Sequence, residues 1–162
     1  MTGIIYGSSM GNTEEAANLI AANLGIDEVL NIADTDAATI NGFDKLIIGS
    51  STWGSGDLQD DWDSFDFDKL EVSGKTIALF GMGDSSSYSD TYCNAMGILY
   101  EKLSQKGANI VGAISTDGYE FDESEAVKDG EFVGLALDAD NDSDKTEDRI
   151  KAWVEIIKPN FS

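Results

Sequence analysis

The stretch Gly3-Ile4-Ile5-Tyr6-Gly7-Ser8-Ser9-Met10-Gly11-Asn12-Thr13 decides the fold class. A short apolar run enters a Gly/Ser loop and leaves it as a helix, whose apolar face carries Ala16, Leu19, Ile20 and Leu24. Strand, glycine-bearing turn and amphipathic helix in that order make a βα unit. Asn12, with Glu15 three residues on, has the spacing of a capping box, and Gly25 supplies the stop.

The same alternation continues along the chain. Further strands are expected at 28–31, 45–50, 76–80 and 109–114, and a sixth apolar run covers 132–137. Leu46-Ile47-Ile48-Gly49 and Ile77-Ala78-Leu79-Phe80 show little alternation, as strands covered on both faces should. Tyr92, Met96, Leu99 and Leu103 mark a second helix stopped by Gly107. Ile150, Trp153, Val154 and Ile157 mark a third, with Asp144 and Glu147 at capping-box spacing, and a weaker helix is expected around 60–65. The fold class is therefore α/β, a three-layer α/β/α sandwich, and any ligand belongs beyond the carboxyl ends of its strands.

Composition narrows the function. A chain of 162 residues that is 41% apolar can bury the core of one domain, so 1–162 is read as a single domain. Against 31 acids stand only 10 bases and no histidine, a net charge of −21 that repels nucleic acid and anionic membranes and attracts basic proteins. The single cysteine, Cys93, leaves no intramolecular disulfide, and the lack of histidine removes zinc sites and histidine triads. No signal-like start and no 18-residue apolar run occur, so a soluble monomer of the cytoplasm is expected, or of an organelle stroma if the chain is a mature form.

Three loops at successive strand ends carry the chemistry. The first, 7–13, offers glycines, hydroxyls, an amide and a helix N-terminus, which together make an anion site. Asn12 stands where a Walker A loop needs its lysine, and the glycine spacing is not that of a dinucleotide fingerprint. No base occurs before Lys45, leaving a neutral cradle suited to a terminal monophosphate. The second loop is Ser50-Ser51-Thr52-Trp53-Gly54-Ser55-Gly56-Asp57 and the third Gly81-Met82-Gly83-Asp84-Ser85-Ser86-Ser87-Tyr88. Either aromatic alone could fold onto the surface. Both, flanking one crevice above a phosphate cradle, point to a planar ring held between Trp53 and Tyr88.

Other features read more simply. In Asp138-x-Asp140-x-Asp142-x-Asp144, Ser143 and Arg149 replace the glycine and glutamate of a calcium loop, so no metal is expected. The acids Asp57, Asp60, Asp61, Asp63, Asp66 and Asp68 form a solvated face or a docking rim. Cys93 is a small residue at a helix start, a position that favours the thiolate. Trp62 and Trp153 are packing residues.

Together these residues resemble the flavodoxins, FMN-binding electron carriers. The resemblance spans essentially the whole chain and is most specific at Ser51-Thr52-Trp53-Gly54-Ser55-Gly56-Asp57-Leu58-Gln59, at Gly83-Asp84 with Tyr88, at Ser115-Thr116-Asp117-Gly118-Tyr119, and at Phe132-Val133-Gly134-Leu135-Ala136-Leu137-Asp138. It implies a flavodoxin-like five-stranded parallel sheet of order 2-1-3-4-5. The last strand would be split by an insertion at about 114–133, as in the long-chain branch.

The resemblance also implies residue roles. Ser8, Ser9, Met10, Gly11, Asn12 and Thr13 would surround the FMN phosphate, and Trp53 and Tyr88 would stack on the ring. Asp84 and the backbone of Cys93 would meet the ring's pyrimidine edge, Thr91 would make its contact through the backbone alone, and Asp140 would lie near the ribityl chain. Ser51, Thr52, Gly54, Ser55, Gly56, Met82 and Gly83 would complete the loops, with no catalytic residue among them. Met10 stands where the family usually has a hydroxyl, and Thr91 and Cys93 where a carboxamide is common.

The function implied is low-potential single-electron transfer, with FMN passing between quinone, semiquinone and hydroquinone states. An acid about 10 Å from an added electron costs roughly 0.8 kcal/mol at an effective dielectric near ~40. That is about 35 mV each, so a few such acids give a low potential. Partners implied are larger redox proteins with basic docking surfaces: ferredoxin-type reductases, photosystem I or pyruvate oxidoreductases. The alternative is an FMN-dependent NAD(P)H quinone or nitro reductase.

In the family the peptide after the tryptophan turns its carbonyl toward the reduced ring; here that peptide is Gly54–Ser55, where glycine permits both conformations. Gly54→Val should therefore narrow the gap between the two one-electron potentials in a redox titration. An unchanged gap would remove this role for Gly54.

Overall fold

A computed structural model describes residues 1–7, 11–53, 57–86, 88–138 and 141–161, with the backbone alone at Trp53, Asp57, Leu58 and Asp60. The elements are β1 (Thr2–Gly7), α1 (Asn12–Leu24), β2 (Val29–Asn31), α2 (Ala37–Asn41), β3 (Lys45–Trp53), β4 (Asp57–Leu58), α3 (Asp60–Asp63) and β5 (Thr76–Met82). They continue with α4 (Asn94–Gln105), β6 (Asn109–Val111), β7 (Ile114–Ser115), β8 (Val127–Lys128), β9 (Glu131–Phe132), β10 (Leu135–Leu137) and α5 (Thr146–Phe161).

Parallel pairing joins β2 to β1, β1 to β3 and β3 to β5. The next position is shared. β6 pairs the first half of β5, with Ile77 opposite Ile110, and β10 pairs the second, with Phe80 opposite Leu135. The sheet thus has the expected order, and its last strand is divided as the resemblance implies. Between the halves lies a small antiparallel sheet, β7-β9-β8. Its β8–β9 hairpin turns on Asp129 and Gly130, at φ 55° and 82°, the left-handed pair that a two-residue turn requires.

Side chains leave the central strands in both directions. Ile5, Leu46, Ile48, Ile77 and Leu79 pack with Ile40, Trp62, Met96 and Leu99 on one side. Ile4, Tyr6, Ile47, Ala78 and Phe80 pack with Ala16, Ile20, Ile150 and Trp153 on the other. Each buried Ile, Leu or Phe contributes about 1.5–3 kcal/mol, and two such layers explain why these strands read as continuous apolar runs. Trp62 and Trp153 are buried, each donating its ring N–H to a carbonyl 2.8 Å away, that of Gly49 and of Gly112 respectively.

Several boundaries differ from expectation. β3 runs on through Trp53 because β4 folds back antiparallel against Thr52 and Trp53. β5 extends to Met82 because β10 carries its pairing that far. Ile114 and Phe132 are not in the main sheet; they pair with each other in the small one. Asn12 does not cap α1: the cap is Gly11, at φ 89°, and Asn12 is the first helical residue. Asp144 does not cap α5 either, since it lies inside a single 3-10 turn, Ser143–Lys145, that precedes the helix. On α1, Ala17 and Ala21 are buried, while Leu19 and Leu24 are only partly so. Gly25 ends that helix as expected, at φ 69°, with its N–H on the Ala21 carbonyl.

Gly134 lets the chain cross onto β5, for a Cβ there would lie 2.1 Å from the Leu79 carbonyl oxygen. Backbone cannot swing aside as a side chain can, so Gly134→Ala should lower unfolding free energy by about 2 kcal/mol. Urea denaturation measures this, and an unmoved midpoint would contradict it.

Candidate functional site

Pairing register gathers the loops. Gly7 lies opposite Ser50, Ser50 opposite Gly81, Ser51 opposite Met82, and Met82 opposite Leu137. The chain therefore leaves β1, β3, β5 and β10 along one edge of the sheet, the carboxyl edge where the sequence placed a ligand.

Gly7 sits tightly at this edge: a Cβ would meet Gln59 Oε1 and Trp62 Cδ1 at 2.5 Å. Beyond it, Gly11 in the left-handed region turns the chain into α1. Thr13 follows in the first helical turn, fully buried, and its Oγ1 has no hydrogen-bond partner. Asn12 is half-buried. Ser8, Ser9 and Met10 lie outside the described residues, as do Gly54, Ser55, Gly56, Asp140 and the Trp53 side chain.

The second and third loops are tied to one another. Thr52 Oγ1, beside Trp53, accepts the Ala95 N–H at 3.1 Å and so holds the start of α4 against β3. Ser51 is half-buried, and Met82 is buried at the end of β5. Gly83 donates its N–H to the Leu137 carbonyl at 2.9 Å, and a Cβ on it would meet the Cys93 nitrogen at 2.8 Å. Tyr88 is 48% exposed, and its N–H donates to the Asp84 carbonyl at 2.9 Å. Thr91 Oγ1 is a second buried hydroxyl without a partner.

Cys93 caps α4 at φ 53°, and its thiol is completely buried, 3.8 Å from the Leu137 carbonyl. Burial pushes that thiol up to about 12. It stays protonated at neutral pH. Cys93 is thus the small residue at a helix start that the sequence suggested, and loss of solvation outweighs the pull of the helix N-terminus on its thiol.

Asp138, at the end of β10, is fully buried. It accepts Ser85 N–H at 2.9 Å, Ser85 Oγ–H at 2.6 Å, Asn141 N–H at 2.9 Å and Asn141 Nδ2–H at 2.9 Å. The Asn141 amide also donates to Asp84 Oδ1 at 2.8 Å. Burial works to raise the Asp138 carboxyl, but these hydrogen bonds together outweigh it and hold it below the usual carboxylate range. One ionised carboxylate thus fastens the third loop to the loop after β10.

The family model described as flavodoxin matches residues 4–153. The chain belongs to the flavodoxin family. A flavodoxin of Picosynechococcus is 46% identical, the match covering 98% of this chain and 96% of the relative. Flavodoxin 1 of Azotobacter vinelandii is 42% identical over the same shares. The crystal structure of Fusobacterium nucleatum flavodoxin bound to flavin mononucleotide superposes with a TM-score of 0.91 at 30% identity, covering 99% of this chain and 98% of that one.

As a flavodoxin the chain is an electron-transfer protein, not an enzyme, and its partners are redox proteins. The reductase alternative falls away. Among the described residues no helix is long and apolar enough to cross a membrane.

Sequence reasoning missed Asp138, Ser85 and Asn141. Asp138 was read as one of a row of acids and as the end of the stretch 132–138, with no role of its own, because burial, the property that distinguishes it, leaves no mark in a run of alternating acids. Its carboxylate stabilises the fold above the ordinary Asp value near ~4, and that contribution is lost as pH falls through the depressed folded value. Asp138→Asn should therefore be destabilising at pH 7, with the difference from wild type shrinking below about pH 4. Urea unfolding at a series of pH values measures this, and a difference independent of pH would contradict it.

Proposed function

We propose that the carboxyl-edge loops of this flavodoxin hold FMN and that the protein is a low-potential single-electron carrier. The observation that carries the reading is Thr13 Oγ1, buried and unpartnered in the first turn of α1. A buried hydroxyl left without a partner costs about 1–3 kcal/mol. A phosphate oxygen at the helix N-terminus removes that cost while gaining the backbone N–H groups and the helix dipole. The cradle lacks a base, so neutral donors alone meet the anion.

The residues fit the rest of the group as well. Around the phosphate we place Ser8, Ser9, Met10, Gly11, Asn12 and Thr13, and on either face of the ring Trp53 and Tyr88. Thr91, whose buried hydroxyl also wants a partner, joins Asp84 and Cys93 at the ring edge. Asp140 is assigned to the ribityl chain, and Ser51, Thr52, Gly54, Ser55, Gly56, Met82 and Gly83 to the loop walls. FMN, when bound, supplies the one-electron chemistry. The protein's part is to grip the tail, exclude water with two aromatic side chains, and disfavour added negative charge through its fixed carboxylates.

A net charge of −21, from 31 acids against 10 bases, also selects the partners, steering basic docking surfaces toward the site in a salt-dependent way. We infer partners of the ferredoxin-type reductase, photosystem I or pyruvate oxidoreductase classes, with no nucleic acid or membrane role. We also infer a monomer of the cytoplasm or an organelle stroma, folded as one domain with its insertion at about 114–133.

The purified protein should be yellow and should take up two electrons in separate steps during anaerobic reduction. A colourless protein that does not bind added FMN would refute the reading. Thr13→Val should weaken FMN binding by about tenfold or more, the worth of one hydrogen bond to a charged group. Riboflavin, which lacks the phosphate, should bind both forms equally. Equal losses for the two flavins would place Thr13 away from the phosphate.

A further inference from the structure

Asn141 stands at the surface a few residues beyond β10, outside the set of ligands assigned above. We propose that it is a positioning residue: its side-chain amide sets the Asp84 carboxylate to accept the ring N–H of the flavin, and so makes the site selective for flavins that carry that hydrogen. The proposal rests on reading Asp84 as the ligand of the ring's pyrimidine edge.

The Asn141 amide meets two carboxylates with one nitrogen. Nδ2 donates to Asp84 Oδ1 at 2.8 Å and to Asp138 Oδ2 at 2.9 Å. A primary amide has two N–H protons, so it can give one to each acceptor. Carboxylates that share a site repel each other, and a neutral donor between them offsets that repulsion. A hydroxyl at this position would have one proton to give, and a third carboxylate none.

The donor is itself fixed to the sheet. Asn141 N–H donates to Asp138 Oδ1 at 2.9 Å, and Asp142 N–H to the Asp138 carbonyl at 3.0 Å, which closes a turn on the buried residue at the end of β10. The third loop also holds Asp84 by bonds of its own, from Ser86 N–H to the same Oδ1 at 3.1 Å and from Tyr88 N–H to its carbonyl at 2.9 Å. Those two bonds move with the loop. The Asn141 bond instead refers the carboxylate to a turn anchored on the main sheet. Ser85, the next residue, is referred to the same turn, giving its N–H and Oγ–H to Asp138 Oδ2 at 2.9 and 2.6 Å.

The pyrimidine ring of an isoalloxazine carries an N–H between two carbonyls, and a carboxylate is a strong acceptor for it. A site built to hydrogen-bond a ligand N–H rejects the analogue that lacks it far more strongly than an apolar wall does. The acceptor must be in place when the ligand arrives, because a group that holds its binding geometry part of the time lowers apparent affinity by that fraction. Asn141 supplies this placement and need not touch the ligand. Its exposure means that substitution there leaves both packed layers of the core intact.

The test titrates the full-length apoprotein with FMN and with FMN methylated at that ring nitrogen. Asn141→Ala should bind FMN about tenfold more weakly, the worth of one bond to a charged group. Its affinity for the methylated flavin should change by less than about twofold, since that ligand cannot make the contact Asn141 prepares. Asp84→Ala is the matching variant, and adding Asn141→Ala to it should cost less than about twofold further in FMN affinity. In the apoprotein, amide hydrogen exchange at 84–86 should be faster in Asn141→Ala, with β3 and β5 unchanged.

Equal losses for the two flavins, additive losses in the double variant, or wild-type FMN affinity in Asn141→Ala would overturn the proposal and leave the reading of the FMN site standing. So would unchanged exchange at 84–86. A wild type that binds neither flavin, or both equally, would instead remove Asp84 from the ring edge, and the proposal would fall with that reading.

Discussion

Parallel strand register is the constraint on which the rest of this structure depends. Gly7, Ser50, Gly81, Met82 and Leu137 stand at one edge because β1, β3, β5 and β10 are each buried on both faces. A slip of one residue would exchange the side chains packed against α1 and α5 with those packed against α3 and α4. With register fixed by two packed layers, the loops that follow the strands have no freedom over where they begin. Polar chemistry can then be placed at that edge with little cost to the core.

What the edge holds is largely polar and buried. Asp138 is tolerated without solvent because four N–H or O–H donors converge on it. Among the described residues Thr13, Thr91 and Tyr92 are the contrasting cases, with buried hydroxyls that have no hydrogen-bond partner. Fully met groups stiffen the loops, and on the proposed reading the unmet threonine hydroxyls are left for a ligand's own polar atoms. The acidity of the remainder acts at longer range, on the cost of an added electron and on the approach of partners.

Much of this was legible in residue order. Two unbroken apolar runs, 46–49 and 77–80, revealed strands covered on both faces, and the glycines at 25 and 107 ended helices where left-handed backbone is needed. The small hairpin could have been read as well, since Asp129-Gly130 is a strong two-residue turn signal. The capping boxes at Asn12 and Asp144 misled, because a side-chain cap competes with whatever the tertiary fold does to the preceding loop. At Gly11 and at the Ser143–Lys145 turn the fold prevailed.

The sequence by itself determined the alternation of strand and helix, the sheet edge to which the polar loops belong and the sign of the net charge. These follow from periodicity, turn chemistry and composition, which are local or additive properties of the chain. Only the tertiary structure decided that burial keeps Cys93 a thiol, that Asp138 joins two loops, and that residues 122–125 meet Ser89, Tyr92 and Asn94 through hydrogen bonds. Burial and long-range hydrogen bonds depend on which segments meet in space, and one-dimensional order does not carry that information.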